Sequence, residues 1–140
     1  MVLGFIGAGN MAGAIIEGVS KGGAMGMSLM HVYDIEMGKV AQMRDALGSR
    51  MCDSCEELIR TSDVILLGIK PYQIEALLWA HHGLWENKAI ISIAAGWTVE
   101  MLTRAVPKST RVMRVMPNTP ALVGEGMTVL SRDTTFTKEE

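Results

Sequence analysis

With 140 residues, 49% of them hydrophobic and 20% charged, the chain has material for one domain around one core and lacks the charge-rich composition of a disordered polypeptide. A formal net charge of −2 with no block of like charges excludes a broad nucleic-acid-binding face and leaves a small molecule as the expected partner. No apolar run approaches the roughly 20 residues that cross a bilayer, and residues 1–6 carry no basic n-region of a signal peptide, so no membrane contact and a cytoplasmic location are expected.

Residues 1–6 read as a buried strand, after which Met11, Ile15, Gly18, Val19 and Gly22 recur at helical spacing. A second strand is expected over 30–33, and Val40, Met43 and Leu47 mark a helix that Gly48 stops. Residues 50–52 suit a short third strand; Ser54-x-x-Glu57 then has the form of a capping box for a helix ending near Thr61. The run 64–69 is the most strand-like in the chain, and Pro71 suits the first position of a helix with Ile74, Leu77 and Leu78 on its inner face. A strand over 89–94 follows, then Thr98 caps a helix burying Val99, Leu102 and Val106. The last strands are expected over 111–116, broken by Pro117 and Pro120, and over 127–130 at a sheet edge.

Strands alternating with helices in this way predict a Rossmann-type doubly wound α/β fold, a mostly parallel sheet with helices on both faces. The two most apolar strands should lie at its centre, buried on both sides. Thr137-Lys138-Glu139-Glu140 reads as an N-cap and a first helical turn, with acids where the helix dipole favours them. Four residues cannot sustain a helix. The expected division is therefore a dinucleotide-binding domain over 1–133, with 134–140 starting a helix that leads to an absent second domain.

The chemistry concentrates at strand ends. Gly7-Ala8-Gly9-Asn10-Met11-Ala12 is G-x-G-x-x-A between a strand and a helix. The first glycine permits a tight turn, the second lets backbone approach a pyrophosphate, and Ala12 lets the helix pack closely on the strand. Free N–H groups at the helix start would then face the phosphates. Asp34 ends the second strand, where a carboxylate can accept hydrogen bonds from an adenosine ribose and repel a 2′-phosphate; this favours NADH over NADPH within an NAD(P)H site. Gly68-Ile69-Lys70-Pro71 and Ala94-Ala95-Gly96 are further strand-end loops whose small residues suit close passage of a ribose and nicotinamide, with Lys70 able to reach a phosphate or hydroxyl. A third, Met116-Pro117-Asn118-Thr119-Pro120, is stiffened by prolines and offers Asn118.

Other chemistry-bearing residues read as structural. Cys52 and Cys55 form C-x-x-C, but no further cysteine and no histidine at ligand spacing accompany them, so two thiols in a reducing compartment are expected rather than a redox pair or zinc site. The three histidines read as surface residues and the 12 methionines mostly as core filler. No catalytic grouping and no metal cluster can be assembled, and a domain that holds a hydride carrier without a proton donor is half an enzyme.

Taken together, Gly4-Phe5-Ile6-Gly7-Ala8-Gly9-Asn10-Met11-Ala12, Ile65-Leu66-Leu67-Gly68-Ile69-Lys70-Pro71, Ile91-Ser92-Ile93-Ala94-Ala95-Gly96 and Arg114-Val115-Met116-Pro117-Asn118-Thr119-Pro120 resemble the N-terminal domain of the pyrroline-5-carboxylate reductase family. The resemblance implies hydride transfer from NAD(P)H to the C=N carbon of 1-pyrroline-5-carboxylate, giving L-proline, the last step of proline biosynthesis. It implies that Ile6, Gly7, Ala8, Gly9, Asn10 and Met11 hold the pyrophosphate and Asp34 the adenosine ribose, with Ser54 near the adenosine half. Gly68, Ile69, Lys70, Pro71, Ala94, Ala95 and Gly96 would flank the nicotinamide half, with Asn118 nearby. Many members use NADPH and place a small polar residue where Asp34 stands. The family's helical second domain, which forms the oligomer and carries substrate-binding residues, is missing from the match, so catalytic residues are expected there and the intact protein is expected to be a homo-oligomer through it. β-Hydroxyacid-type dehydrogenases and deazaflavin-dependent NADP reductases share the opening fingerprint, though not the segment around Asn118, and a non-catalytic nucleotide sensor could use the same domain.

Overall fold

A computed structural model of the protein describes residues 1–138. Glu139 and Glu140, on which the expected helix start partly rests, lie outside the described residues.

The strands are β1 (Leu3–Ile6), β2 (Met30–Tyr33), β3 (Arg50–Met51), β4 (Val64–Leu67), β5 (Ala89–Ser92), β6 (Arg111–Pro117) and β7 (Thr128–Thr134). They form one seven-stranded sheet in the order β3-β2-β1-β4-β5-β6-β7. All neighbours are parallel except β6 and β7, which pair antiparallel. The helices are α1 (Asn10–Gly22), α2 (Met37–Leu47), α3 (Cys55–Thr61), α4 (Pro71–Ala80) and α5 (Val99–Arg104). This is the expected doubly wound arrangement, with β4 at the middle of the sheet.

Two cores follow from the alternation of strand side chains. Leu66 and Phe5 join Ile16 of α1 and Val40 of α2 on one face. Ile65 and Leu67 join Leu58 of α3, Ile74 of α4 and Leu102 of α5 on the other. A strand buried on both faces must be apolar at every position, which is why Val64-Ile65-Leu66-Leu67 shows no polar alternation. The chain winds outward from β1 through β2 to β3, then crosses back to β4 and winds the other way. The crevice at that reversal, above the carboxyl ends of β1 and β4, is where ligands bind in such sheets.

Several expectations need correction. The inner face of α1 is Ala12 and Ile16, with Ile15 and Val19 at its margin, whereas Gly18 is exposed. Two of the glycines read as part of that stripe carry no side chain to bury. β6 stops at Pro117 as expected, one residue later than the apolar run, with Pro117 opposite Thr128 of β7 at a terminal position where the missing N–H costs no internal ladder bond. The last strand runs to Thr134, well past the apolar run that marks its start. Its polar half is held by β6 and by Thr135, whose Oγ1 accepts from Val112 N at 2.7 Å. His31 is buried, not superficial: it lies on β2 between β1 and β3, and its Nδ1 is 2.9 Å from Thr61 Oγ1. Of the methionines only Met30 belongs fully to the core; Met25, Met27, Met43 and Met51 pack at its edge, and Met1, Met101, Met116 and Met127 are exposed. Short 3-10 turns over Met27–Leu29, His82–Trp85 and Thr119–Val123 were not legible from periodicity. Among the described residues no helix is long and apolar enough to cross a membrane.

Candidate cofactor-binding site

The loop between β1 and α1 contains two glycines with different physical reasons for being glycine. Gly7 has φ +98°, and a Cβ there would stand 2.7 Å from the backbone C and O of Gly68. Its N–H donates to Tyr33 O at 2.8 Å, and Gly68 N donates to Ile6 O at 2.8 Å, so the ends of β1, β2 and β4 are laced together at this point. Gly68 in turn faces Ala12, whose Cβ would be 2.8 Å from a Cβ added at Gly68. The fold itself requires these small residues.

Gly9 is different. Its φ of −70° and ψ of 179° are open to any residue, and an added Cβ would meet nothing within 4 Å. As N-cap of α1 it offers no side-chain acceptor, and the first turn of α1 carries no acid. By contrast, α3 is capped by Ser54 and α5 by Thr98, with Glu56, Glu57 and Glu100 in their first turns. The start of α1 thus presents N–H groups and positive dipole charge without an internal partner from its own cap. Such an end, backed by a glycine that leaves space, fits a diphosphate.

Beside this loop lies a cleft of about 460 Å³. Ile6, Gly7, Gly9, Asp34, Gly68, Ile69 and Lys70 line it, joined by Tyr33, Ile35, Glu36, Lys39, Cys55, Tyr72, Gln73 and Leu77. A smaller cleft of about 250 Å³ lies along α1, lined by Ala8, Gly9, Asn10, Gly13, Ala14, Glu17, Met43 and Leu122. The 3-10 turn Thr119–Val123 packs against α1 and brings Leu122 there.

Asp34 braces the loop. Its Oδ2 accepts from Ala8 N at 2.7 Å and its Oδ1 from Glu36 N at 2.8 Å. Two carboxylate oxygens have about four acceptor sites, so ribose hydroxyls can still be received. Next to it, Lys39 Nζ donates to Glu36 Oε1 at 2.7 Å. The α4 side of the cleft is fixed by Lys70 N donating to Gln73 Oε1 at 3.0 Å and by Trp97 Nε1 donating to Pro71 O at 2.9 Å. That indole bond ties the segment 94–97 to the start of α4, bringing the two strand-end loops into register. Ala94 N donates to Ser92 Oγ at 3.3 Å, and Gly96 turns the chain at φ +80°.

The remaining candidates sit farther out. Ser54 is exposed and caps α3, its Oγ accepting from Glu57 N at 3.0 Å. The reciprocal arm lands one residue early, Glu57 Oε2 accepting from Asp53 N at 2.8 Å. That bond and the Arg50 guanidinium hold the Glu57 carboxyl below its ordinary range. Cys55, not Ser54, lines the cleft; burial pushes its thiol up to about 12, a neutral group rather than a nucleophile. Residues 94–96, Met11, Pro71 and Asn118 line neither cleft. Asn118 instead pins the β6–β7 connection: its Oδ1 accepts from Met127 N at 2.8 Å. Sequence reasoning missed Ile35, Glu36, Tyr72 and Gln73 as cleft residues, and Trp97 as a brace. The first four follow the β2 and β4 ends, Tyr33 and Leu67, within the next few residues, so extending each strand-end reading into the following helix turn would have found them. Nothing in the sequence marks the Trp97 bond.

Fold and loop together define a Rossmann-type domain, of the class that binds dinucleotides. Residues 2–96 match the family described as NADP oxidoreductase, coenzyme F420-dependent. The chain belongs to that family, and its relatives by sequence over nearly its whole length are pyrroline-5-carboxylate reductases. It is 36% identical over 139 residues to the pyrroline-5-carboxylate reductase of Escherichia coli (strain K12), covering 99% of this chain and 52% of that protein. Against the pyrroline-5-carboxylate reductase of Arabidopsis thaliana the figure is 33% over 139 residues, covering 99% and 50%. The solved pyrroline-5-carboxylate reductase of Coxiella burnetii superposes with a TM-score of 0.91 at 28% identity, covering 98% of this chain and 51% of that one. The Plasmodium falciparum pyrroline carboxylate reductase with NADP bound gives 0.79 at 27%, covering 95% and 49%. The chain spans about half the length of the curated relatives it matches.

Proposed function

We propose that this chain is the cofactor-binding half of a pyrroline-5-carboxylate reductase, reducing 1-pyrroline-5-carboxylate to L-proline in the cytoplasm with NADH preferred. In this reading residues 1–133 form the dinucleotide domain, and the chain beyond them leads to a second half that builds a homo-oligomer and completes the substrate site. The observation that carries it is Gly9: like Gly18, Gly22, Gly38 and Gly83 it is required neither by its own backbone nor by any neighbour, but it alone of these lines both clefts, at the start of α1. A ligand pressed against that backbone supplies the missing reason.

The segment from Ile6 to Met11 cradles the pyrophosphate; since Gly7 N and Ala8 N are already held by Tyr33 O and Asp34 Oδ2, the amides beyond Ala8 at the start of α1 donate to it, with the α1 dipole offsetting its charge. Asp34 receives the adenosine ribose, with the cleft toward Cys55 and the nearby Ser54 taking the adenosine half. Gly68 to Pro71 and Ala94 to Gly96 flank the nicotinamide half, where methyl groups and bare backbone let a flat ring lie close, and Asn118 stands at its margin. When bound, the dihydronicotinamide supplies hydride to the C=N carbon while the imine nitrogen takes a proton. We assign the proton donor to the second half.

The test is calorimetric titration of this chain with NADH and NADPH, alongside an assay of a protein carrying both halves with 1-pyrroline-5-carboxylate. Expected are saturable binding to the chain, tighter for NADH, and proline formation only where both halves are present. Absence of binding to the chain, or binding without proline formation by the longer protein, overturns the reading.

A further inference from the structure

Glu36 and Lys39 line the larger cleft on the lip that Asp34 begins. Lys39 Nζ donates to Glu36 Oε1 at 2.7 Å across one turn at the start of α2. That hydrogen bond is the largest influence on the Lys39 pKa and raises it; burial, next in size, opposes, and the charges of Glu36 and Asp34 add to the rise. Both side chains are largely exposed, at 63% and 47%, so the pair adds little to stability. Glu36 is the N-cap of α2, yet its side chain makes no capping hydrogen bond. The helix does not explain the carboxylate.

The cofactor's chemistry does. NADPH differs from NADH by a phosphate on the adenosine ribose, and a lysine ammonium is an ordinary counter-ion for phosphate. The cations that line the cleft are Lys39 on the Asp34 lip and Lys70 on the α4 lip. An ammonium has three donors, but one already held by a carboxylate reaches a phosphate only by swinging off the carboxylate or by bringing the phosphate close to that negative charge.

We propose that Glu36 is a specificity-positioning residue: by holding Lys39 it withdraws the cation that a 2′-phosphate would need, and so selects a ribose with free hydroxyls. This rests on the reading that the adenosine half of a dinucleotide occupies the cleft. It differs from the role given to Asp34, which acts by direct repulsion, because Glu36 acts through Lys39.

That difference supplies the test. The wild-type chain, Glu36→Gln and the double variant Glu36→Gln/Lys39→Met are titrated with NADH and NADPH at fixed ionic strength, with Tm recorded for each. Glutamine keeps the length of Glu36 and removes its charge; methionine keeps most of the Lys39 stem. The NADPH-to-NADH affinity ratio should rise on the order of tenfold in Glu36→Gln, the scale of one charge-assisted hydrogen bond made available to a phosphate. It should return to within about threefold of wild type in the double variant, since the freed ammonium is gone. Glu36→Ala is a second variant with the same expectation. An unmoved ratio in both single variants overturns the proposal, as does a gain that survives Lys39→Met, which would be bulk charge and not release of the lysine. If NADH fails to bind the wild-type chain, the dinucleotide reading falls first; if NADH binds and the ratio behaves otherwise, only this proposal falls.

Discussion

Replacing Gly9 by valine separates a residue kept for the fold from one kept for a ligand. The backbone at Gly9, φ −70° and ψ 179°, is comfortable for a β-branched residue, and no atom lies within 4 Å of the new Cβ. Folding stability should therefore change by no more than about 0.5 kcal/mol, or rise by about 0.4–1 kcal/mol through a stiffer unfolded chain. Cofactor affinity should collapse, because the side chain stands between the phosphates and the amides at the start of α1. Hydrogen bonds to a charged group contribute about 1.5–3 kcal/mol each, so losing two weakens binding by about a hundredfold or more. Gly7→Ala is the control with the opposite pattern. Its φ of +98° and the 2.7 Å approach to Gly68 backbone put the damage in the folded state, so Tm should drop with no ligand present. Thermal melts and calorimetric titration of the two variants decide the matter. Gly9→Val that melts like wild type and binds NADH within threefold of it refutes the loop assignment; Gly9→Val that fails to fold refutes the structural reasoning.

Three more outcomes are expected. Asp34→Ser should raise the NADPH-to-NADH affinity ratio and also lower stability by about 1–3 kcal/mol, because Ala8 N and Glu36 N lose their acceptors together; an unchanged ratio removes Asp34 from the ribose site. Ser54→Ala should cost about 0.5–2 kcal/mol in urea unfolding through the lost cap on Glu57 N, and a smaller change in NADH affinity than Gly9→Val; an affinity loss matching Gly9→Val would make Ser54 a direct ligand. Burial, then the Arg50 charge, holds the His31 pKa below its ordinary value, with Glu57 opposing. The unfolded chain therefore takes up the proton first as pH falls, so this contribution is intact above about pH 6.5 and is lost as pH drops from there through the lower folded value. His31→Gln should flatten that part of the stability profile, and the same slope in the variant would show that other groups cause it.

How much the sequence disclosed depended on whether the reason for a residue was local. Gly7 and Ala12 were legible because a turn and a tight helix contact each demand a small residue at a fixed offset from a strand end. Ser54 and Thr98 were legible as caps for the same kind of reason, and the helices they begin lie where expected. The long-range features were hidden. Trp97 bonds to Pro71, 26 positions away, and His31 to Thr61, 30 positions away. Neither partner announces the other, and a lone histidine in a strand reads equally as superficial. The polar half of β7 was invisible because its strand character comes from its partner and not from its own residues. Ile35 and Tyr72 are 77% and 82% exposed. Hydrophobic patterning assigns such residues to no core, and only the shared cleft gives them a place.

The brace made by Asp34 constrains how a dinucleotide can sit. Because its two oxygens hold Ala8 N and Glu36 N, the carboxylate is fixed on both sides before any ligand arrives, and the Ala8 amide is already satisfied. In the proposed binding mode the phosphates are then met by amides beyond Ala8, at the start of α1, where no side-chain acceptor has to be displaced. A carboxylate pinned by two backbone bonds also has no freedom to swing away from an approaching 2′-phosphate. The repulsion between them, worth up to ~4 kcal/mol for unit charges at 4 Å with an effective dielectric of 20, is relieved only by breaking the brace that shapes the loop. The proposed preference for NADH and the order of the glycine turn thus depend on the same two hydrogen bonds, and a variant that relaxes one should loosen the other.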